Sequence, residues 1–292
     1  MGRSPRSSGK SPGGRDRLPS DLGALNRWER ELIDRFKTIP LFRALPDMPD
    51  QEFLDLLLQR RFISLMHTEI YDLAIDGLLG ESAIRKARRI LRQAYPGSDG
   101  TLPSHQELLR HDLELIGVSR DHLDRAARWP VTSKYAERVR RMLRKSDADA
   151  ISPRGTIDHQ IRLLTILRFW GEALVSVEHG LFWPRLSDLG LSATRGEPNC
   201  SRFYYPHLSQ DAVQYGFSSP SLHLSETHAD LLGSELEFLL RHQGPVDPTA
   251  VGGCARIEET IIEDRIFFYS QFGASPLSEA SEKDPDGVLT NP

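Results

Sequence analysis

Cysteines, strand-like segments and long apolar runs are scarce in this chain of 292 residues. The two cysteines, Cys200 and Cys254, form no C-x-x-C pair and no disulfide framework, which favours a reducing compartment, so we expect a cytoplasmic protein. The most apolar stretch, 157–186, is interrupted by charged residues such as Arg162 and Glu178, which makes it too polar for a single membrane crossing. We therefore expect a soluble protein without a membrane partner.

The body of the chain also lacks a strong excess of positive or negative charge. The formal net charge is −4, and the basic residues alternate with acids along the sequence, so we expect no nucleic-acid partner. The two ends differ from the body. Residues 1–20 are basic and rich in Ser, Gly and Pro, and residues 273–292 are polar and acidic. Such compositions bury too little apolar surface to fold, so we expect two disordered tails.

Several well-known catalytic motifs are missing. The sequence contains no Gly-rich phosphate loop, no G-x-S-x-G turn and no H-E-x-x-H pair. Nucleotide binding, serine hydrolysis and zinc-peptidase chemistry therefore have no support from local sequence.

Helical periodicity fills nearly all of the region between the tails. Apolar residues recur every three or four positions, and no segment alternates as a half-buried strand does. The pattern predicts an all-α fold, a single helical bundle over residues 21–272. We expect helices at about 22–36, 50–79, 81–95, 104–116, 119–128, 132–145, 156–186, 202–215, 221–241 and 255–272. The helix at 156–186 is apolar nearly all round, so it is expected at the centre.

The run 203–211 combines aromatic residues with a histidine and a carboxylate. His207 and Asp211 stand four residues apart, so on a helix they share a face and can approach one ion. The alternative is a histidine in the first helical turn beside a solvated aspartate. Tyr204 either lines a pocket or belongs to the core.

Two glutamates on the central helix are candidate ligands, since a carboxylate inside a bundle needs a partner or a metal. Glu178 falls on the predicted inward stripe, where it is either a ligand or a hydrogen-bonded core acid. Glu172 shares a face with Arg168, so a surface ion pair is the alternative to a metal-binding role.

Two further histidines are candidates. His105 follows Ser104 at the start of a helix with the capping-box pattern Ser104–Glu107, and could equally be an exposed residue without a role. His228 precedes an apolar run and is favoured over His223 for joining the same site.

Taken in order, the capped helix with His105, the central helix with Glu172 and the run from Phe203 to Asp211 resemble the heme-oxygenase-like diiron oxidases and oxygenases. The resemblance covers roughly residues 50–272. It implies a heme-oxygenase-like helical fold and metal ligands at His105, Glu172, His207 and Asp211. His228 or Glu69 is the candidate to compensate for a family ligand that this chain lacks. The chain departs from the family at Ser98, where a glutamate is usual, and at Gln214, where a histidine is usual.

The resemblance implies a biosynthetic non-heme iron enzyme that uses one or two Fe²⁺ ions and dioxygen. The expected substrate is a small amine, an amino acid or a fatty-acid-like molecule, and a homodimer is possible. Glu178 and Tyr204 are then candidate catalytic residues. The two departures favour an alternative of the same fold, either a metal-independent enzyme or a ligand-binding protein.

Overall fold

The computed structural model describes residues 18–96, 103–144, 156–211, 227–241 and 246–272, without the side chains of 209–211. Its α-helices, numbered α1 to α12, are Leu22–Lys37, Pro40–Ala44, Asp50–Ile75, Glu81–Ala94, His105–Leu115, Arg120–Arg125, Pro130–Arg144, Ile157–Ile166, Leu174–Asp188, Tyr204–Asp211, His228–Leu240 and Pro248–Tyr269. A 3₁₀ turn, Leu45–Asp47, follows α2, and a π-helical segment, Leu167–Ala173, joins α8 to α9. The predicted all-α class is confirmed: in the described ranges the only β feature is an isolated bridge between Ser192 and Cys200.

Polar side chains cap several of the helix starts. The side chains of Asp21, Ser104, Ser119, Thr156 and Thr227 each accept a hydrogen bond from a backbone N–H in the first turn of the following helix. The predicted capping box is present, because Ser104 and Glu107 exchange hydrogen bonds at the start of α5.

The last helix begins earlier than the sequence pattern predicts. We expected it to begin at about residue 255. Instead α12 starts at Pro248, with Asp247 accepting from the N–H of Thr249. Proline at the first helical position and an aspartate cap favour this start, and burial on the neighbouring helices offsets the low helix propensity of the glycines.

The continuous rod formed by α8, the π segment and α9 is the centre of the bundle, as predicted. Every residue of the π segment is buried, and the rod packs against α3, α10, α11 and α12. Side chains on every face of the rod therefore lie in the interior of the bundle. Within the described residues, no helix combines the length and apolar content that a membrane crossing requires.

The two predicted tails fall mostly outside the described residues. Residues 1–17 and 273–292 are not among them, so the disorder expected there stays a prediction. The helices that are described extend from Leu22 to Tyr269, within the predicted limits of the helical domain.

Candidate functional site

A small cavity lies beside the π segment, with a volume of about 40 Å³. At roughly 10–15 Å³ for one water, it has room for about three waters or a metal ion with few waters. Four histidines and one carboxylate converge on it from α3, α5, α10, α11 and the π segment: His67, His105, His207, His228 and Glu172. Three of the four histidines, with Glu172, had been singled out in the sequence.

Glu172 is the centre of this group. Its Oε1 lies 3.2 Å from Nε2 of His67, its Oε2 lies 3.2 Å from Nδ1 of His228, and Oε1 also accepts a short hydrogen bond from the hydroxyl of Tyr71. Burial alone would raise the pKa of Glu172, but the hydrogen bonds from His228 and His67 outweigh it and hold the pKa well below its usual value. The carboxylate is therefore ionised although it is buried.

The π segment explains why a helical-face argument misplaces Glu172. A turn of π-helix contains more residues than the 3.6 of an α-helix, so faces counted on an α-helical period shift across it. Glu172 is buried and lines the cavity, so the alternative interpretation, a surface ion pair with Arg168, does not hold. Arg168 is itself buried, with Nη1 2.6 Å from Oε2 of Glu29.

Gly171 allows the contact between Tyr71 and Glu172. A Cβ atom at Gly171 would lie 3.2 Å from Cε2 of Tyr71, closer than ordinary van der Waals contact. The ring of Tyr71 in turn lies 4.4 Å from the ring of His67. A glycine here thus lets α3 approach the π segment closely enough for two of its side chains to meet Glu172.

His105 and His207 form a second pair, with ring centroids 4.9 Å apart. Nδ1 of His207 lies 2.6 Å from the carbonyl oxygen of Phe203, an acceptor, so this nitrogen carries the proton and Nε2 keeps its lone pair. Burial, and secondarily His207, lowers the pKa of His105 to about 3. Burial likewise lowers the pKa of His207. Both imidazoles are neutral at physiological pH, which is the form that binds metals.

A buried carboxylate on α5 fixes the distance between these two histidines. Asp112 is fully buried and accepts hydrogen bonds from the hydroxyl of Ser201, at 2.6 Å, and from the backbone N–H groups of residues 202–204, at 2.8 to 3.1 Å. These N–H groups precede and begin α10, where helices lack internal acceptors. Because Asp112 shares α5 with His105, it ties the start of α10, and with it His207, to His105.

Glu178 and Tyr204, the two candidate catalytic residues, do not line the small cavity. Glu178 is fully buried between two arginines: Nε of Arg60 lies 2.7 Å from Oε2, and Nη1 of Arg265 lies 2.9 Å from Oε1. Burial would lower the pKa of Arg60, but the charge of Glu178 outweighs it and raises this pKa above its usual value. Glu178 is therefore a hydrogen-bonded acid of the core and does not line the small cavity. Tyr204 is buried beside His179, with ring centroids 5.1 Å apart, and burial raises the pKa of its hydroxyl.

Two buried or partly buried histidines near this site, His67 and His179, were not among the residues selected from the sequence. His67 stands four residues before Tyr71 on a helix buried on much of its surface, and that spacing was an available signal. His179 stands seven residues after Glu172 and is fully buried, with neither ring nitrogen bonded to any described residue. Its neighbours are Phe203 and His207, with ring centroids 5.6 Å away in each case.

Asp211 is the last residue of α10, and its side chain is not described. Gln214 and His223 lie outside the described residues altogether. The metal-binding role expected for Asp211 therefore stays a prediction.

The donors around Glu172 are chemically suited to iron, which accepts mixed imidazole and carboxylate ligands. Two donor atoms bound about 2.1 Å from one ion, at angles of about 90–110°, lie about 3.0–3.4 Å apart. The 3.2 Å separations of Glu172 from His67 and from His228 fall in that range. Among the residues with described side chains, however, no group of three or more His, Cys, Asp or Glu is already arranged to hold a metal ion.

Comparisons with known proteins bear on the fold. No protein-family model matches the sequence, and no curated protein matches it. Among solved structures, a domain of unknown function with a heme oxygenase-like fold from Shewanella denitrificans OS217 is similar. It has 14% sequence identity and a TM-score of 0.60 over 92% of this chain and 99% of that chain.

A TenA family transcription regulator from Silicibacter sp. TM1040 is also similar in structure. It has 13% identity and a TM-score of 0.53 over 85% of this chain and 94% of that chain. At sequence identities this low, the similarity shows a shared backbone fold and does not show a shared activity. The chain therefore has an all-α, heme-oxygenase-like fold.

Proposed function

We propose that this protein is a non-heme iron enzyme that uses dioxygen to oxidise a small organic substrate. The observation that carries the proposal is the convergence of four histidines and one ionised glutamate, from five separate segments, on one buried cavity of the size of a few waters. Burying so many metal-ligating groups at one point is costly unless they serve a ligand. Perturbed, buried titratable groups in a cavity are typical of functional sites.

In this proposal Glu172 binds the metal together with His67 and His228, which already lie 3.2 Å from its two oxygens. His105 and His207 are the further ligands, with Asp211 as the candidate on the same helix as His207. A ferrous ion would supply the electrons that reduce dioxygen, which the side chains cannot do. The chain itself orients the ligands, through Tyr71 on Glu172 and Phe203 on His207, and excludes water by burial.

Metal analysis tests the proposal. The protein is reconstituted with ferrous iron under anaerobic conditions, desalted, and its iron content is measured by mass spectrometry. We expect about one or two equivalents in the wild type and a loss of roughly 10- to 100-fold in affinity in Glu172→Gln and His67→Ala. The matched control is His122→Ala, since His122 is exposed on α6. Less than about half an equivalent in the wild type, or equal iron in all variants, would contradict the proposal.

A metal-independent enzyme or ligand-binding protein is the second candidate. Two observations favour it. The described side chains contain no group of three arranged for a metal, and Glu172 is already held by His67, His228 and Tyr71. A carboxylate held in this way can bind a cationic or hydrogen-bond-donating ligand. A ligand that copurifies with the wild type and is lost in Glu172→Gln, with no iron uptake by either protein, would support this candidate.

A further inference from the structure

One exposed face of α4 consists mainly of arginine. Its members are exposed and stand at positions i, i+3, i+4 and i+7, so they lie side by side along the helix; they are Arg85, Arg88, Arg89 and Arg92. We call these four side chains the arginine stripe. Together with Glu81 and Ile84 they line an open groove of about 580 Å³. The described lining of this groove therefore carries four positive charges and one negative charge.

The arginine stripe is not neutralised by the described residues around it. None of its four side chains forms an ion pair or a side-chain hydrogen bond with a described residue. Other exposed arginines do: Arg120 pairs with Glu114 on α5. Like charges three and four residues apart repel each other and weaken a helix. The stripe is thus unfavourable for α4 itself, and a bound polyanion would relieve the repulsion.

The surroundings of the arginine stripe favour a phosphate backbone over an apolar partner surface. Within α4 the large apolar side chains are buried or partly buried, and none is exposed. Protein interfaces have an apolar centre, and amphipathic helices bind membranes through an apolar face, so α4 lacks what either partner would contact. Arginine binds phosphate through paired hydrogen bonds. The stripe extends about 10.5 Å along the helix axis, which matches about three phosphates of one strand at about 3.4 Å each.

An exposed aromatic ring stands at the end of the arginine stripe. Tyr95 follows Arg92 by three residues, at the carboxyl end of α4, and is 45% exposed. Its hydroxyl donates a hydrogen bond of 3.1 Å to Asp72, which restrains the ring. Unpaired bases stack on such rings in proteins that bind single strands. A ring that follows a row of phosphate-binding groups therefore favours a single strand over a duplex, whose bases are already stacked.

We propose that the arginine stripe binds the backbone of a single-stranded nucleic acid, with one unpaired base stacked on Tyr95. Such a contact has little sequence preference, because phosphates and stacking surfaces are common to all nucleotides. The formal net charge of −4, from which we expected no nucleic-acid partner, does not show this surface because it sums over the whole chain. At physiological salt, exposed charges more than about 8 Å away are largely screened, so the local charge of α4 decides binding. The inference is independent of the iron proposal.

The test is the salt dependence of binding to a fluorescein-labelled oligothymidylate of about 12 nucleotides, measured by fluorescence anisotropy between about 50 and 200 mM salt. For single strands, the slope of log association constant against log salt concentration is about −0.7 per phosphate contact. The double variant Arg88→Gln/Arg89→Gln removes two contacts, so its slope should be shallower by about 1.4 and its binding at low salt weaker. Tyr95→Ala should weaken binding roughly 5- to 100-fold and leave the slope unchanged.

The matched control is the double variant Arg27→Gln/Arg30→Gln, which removes two exposed arginines of α1. Residues 1–17 are also basic and can attract the oligonucleotide, but they are the same in every variant. The difference between the two double variants therefore reports on α4. We expect the control to keep the slope and the affinity of the wild type.

A gain-of-binding variant protects the test against misfolding. Glu81→Gln removes the carboxylate from the described lining of the groove, so it should tighten binding several-fold. No oligonucleotide binding by the wild type, equal slopes in the two double variants, or wild-type affinity in Tyr95→Ala would overturn the inference. Equally strong competition by polyglutamate would also overturn it, in favour of an acidic protein partner, and equally strong competition by vesicles containing phosphatidylserine would overturn it in favour of an anionic membrane.

Discussion

The carboxylate of Asp112 accepts a 2.6 Å hydrogen bond from the hydroxyl of Ser201, across 89 residues of sequence. Three backbone N–H groups that follow Ser201 donate to the same carboxylate. One buried side chain of α5 thereby caps the start of α10, and the arrangement of His105 and His207 depends on it.

Replacement of Asp112 should loosen α10 selectively. Asp112→Asn places an amide where four donors need an acceptor, so we expect the free energy of unfolding to fall by about 2–4 kcal/mol. Hydrogen exchange at residues 202–208 should accelerate more than exchange in α3 or α12. Asp121→Asn is the control, since Asp121 is largely exposed and forms an i, i+4 ion pair with Arg125. Unchanged exchange in α10 would contradict the capping role.

Loss of the Glu178 charge should damage the core. Glu178→Gln leaves Arg60 and Arg265 buried with only a neutral partner, so we expect a loss of about 3–5 kcal/mol in urea unfolding. Glu137→Gln is the exposed counterpart, in an i, i+4 pair with Arg141, and should change stability by less than about 0.5 kcal/mol. A small effect of Glu178→Gln with a large effect on catalysis would instead favour the catalytic role expected from the sequence.

Replacement by alanine should have opposite effects on stability at Gly171 and at Gly253. At Gly171 a methyl group would press on Tyr71, so Gly171→Ala should lower stability by about 1–3 kcal/mol and weaken iron uptake. At Gly253, inside α12, a Cβ meets nothing within 4 Å, so Gly253→Ala should raise stability by about 0.5–1 kcal/mol through helix propensity. The midpoint of thermal unfolding is measured for both variants. A shift of both midpoints in the same direction would contradict the prediction.

Stability should depend on pH through Glu258, which lies buried near Arg168 and Glu29. Burial, and then the charge of Glu29, raises the pKa of Glu258 well above its usual value. Its favourable contribution is therefore complete below the unfolded-state pKa of about 4.5 and is lost as pH rises through the folded-state pKa. Glu258→Gln cannot ionise, so its stability relative to the wild type should increase between pH 5 and pH 8. Urea unfolding of both proteins at pH 5 and pH 8 tests this prediction. A stability difference between variant and wild type that is the same at the two pH values would contradict it.

The sequence predicted the helices well because most of them carry local signals. The capping box at Ser104 and Glu107 placed the start of α5, and the apolar character of 157–186 placed the central rod. The errors came where tertiary contacts decide. The last helix begins at Pro248, seven residues before the predicted start, and the short helix Pro40–Ala44 had too few residues for a periodic signal.

For the candidate site, the individual residues were more predictable than their arrangement. Glu172, His105, His207 and His228 were all selected from spacing and resemblance, and they line one cavity. His67 was missed because its four-residue spacing to Tyr71 points to a site only when the position of Glu172, 105 residues farther along the chain, is also known. Glu178 was assigned a possible catalytic role because the positions of Arg60 and Arg265 are set only by the packing of α3 and α12.

Because of the π-helical turn at Leu167–Ala173, the direction of the Glu172 side chain can change without a change in the packing of the bundle. A π-helical turn is equivalent to an α-helix with one additional residue, so a chain one residue shorter there could follow the same path as an ordinary helix. The apolar faces of α8 and α9 would keep their neighbours, while the carboxylate of Glu172 would turn away from His67 and His228. A fold of this kind could therefore acquire or lose its polar centre by a one-residue insertion or deletion, without rebuilding the bundle.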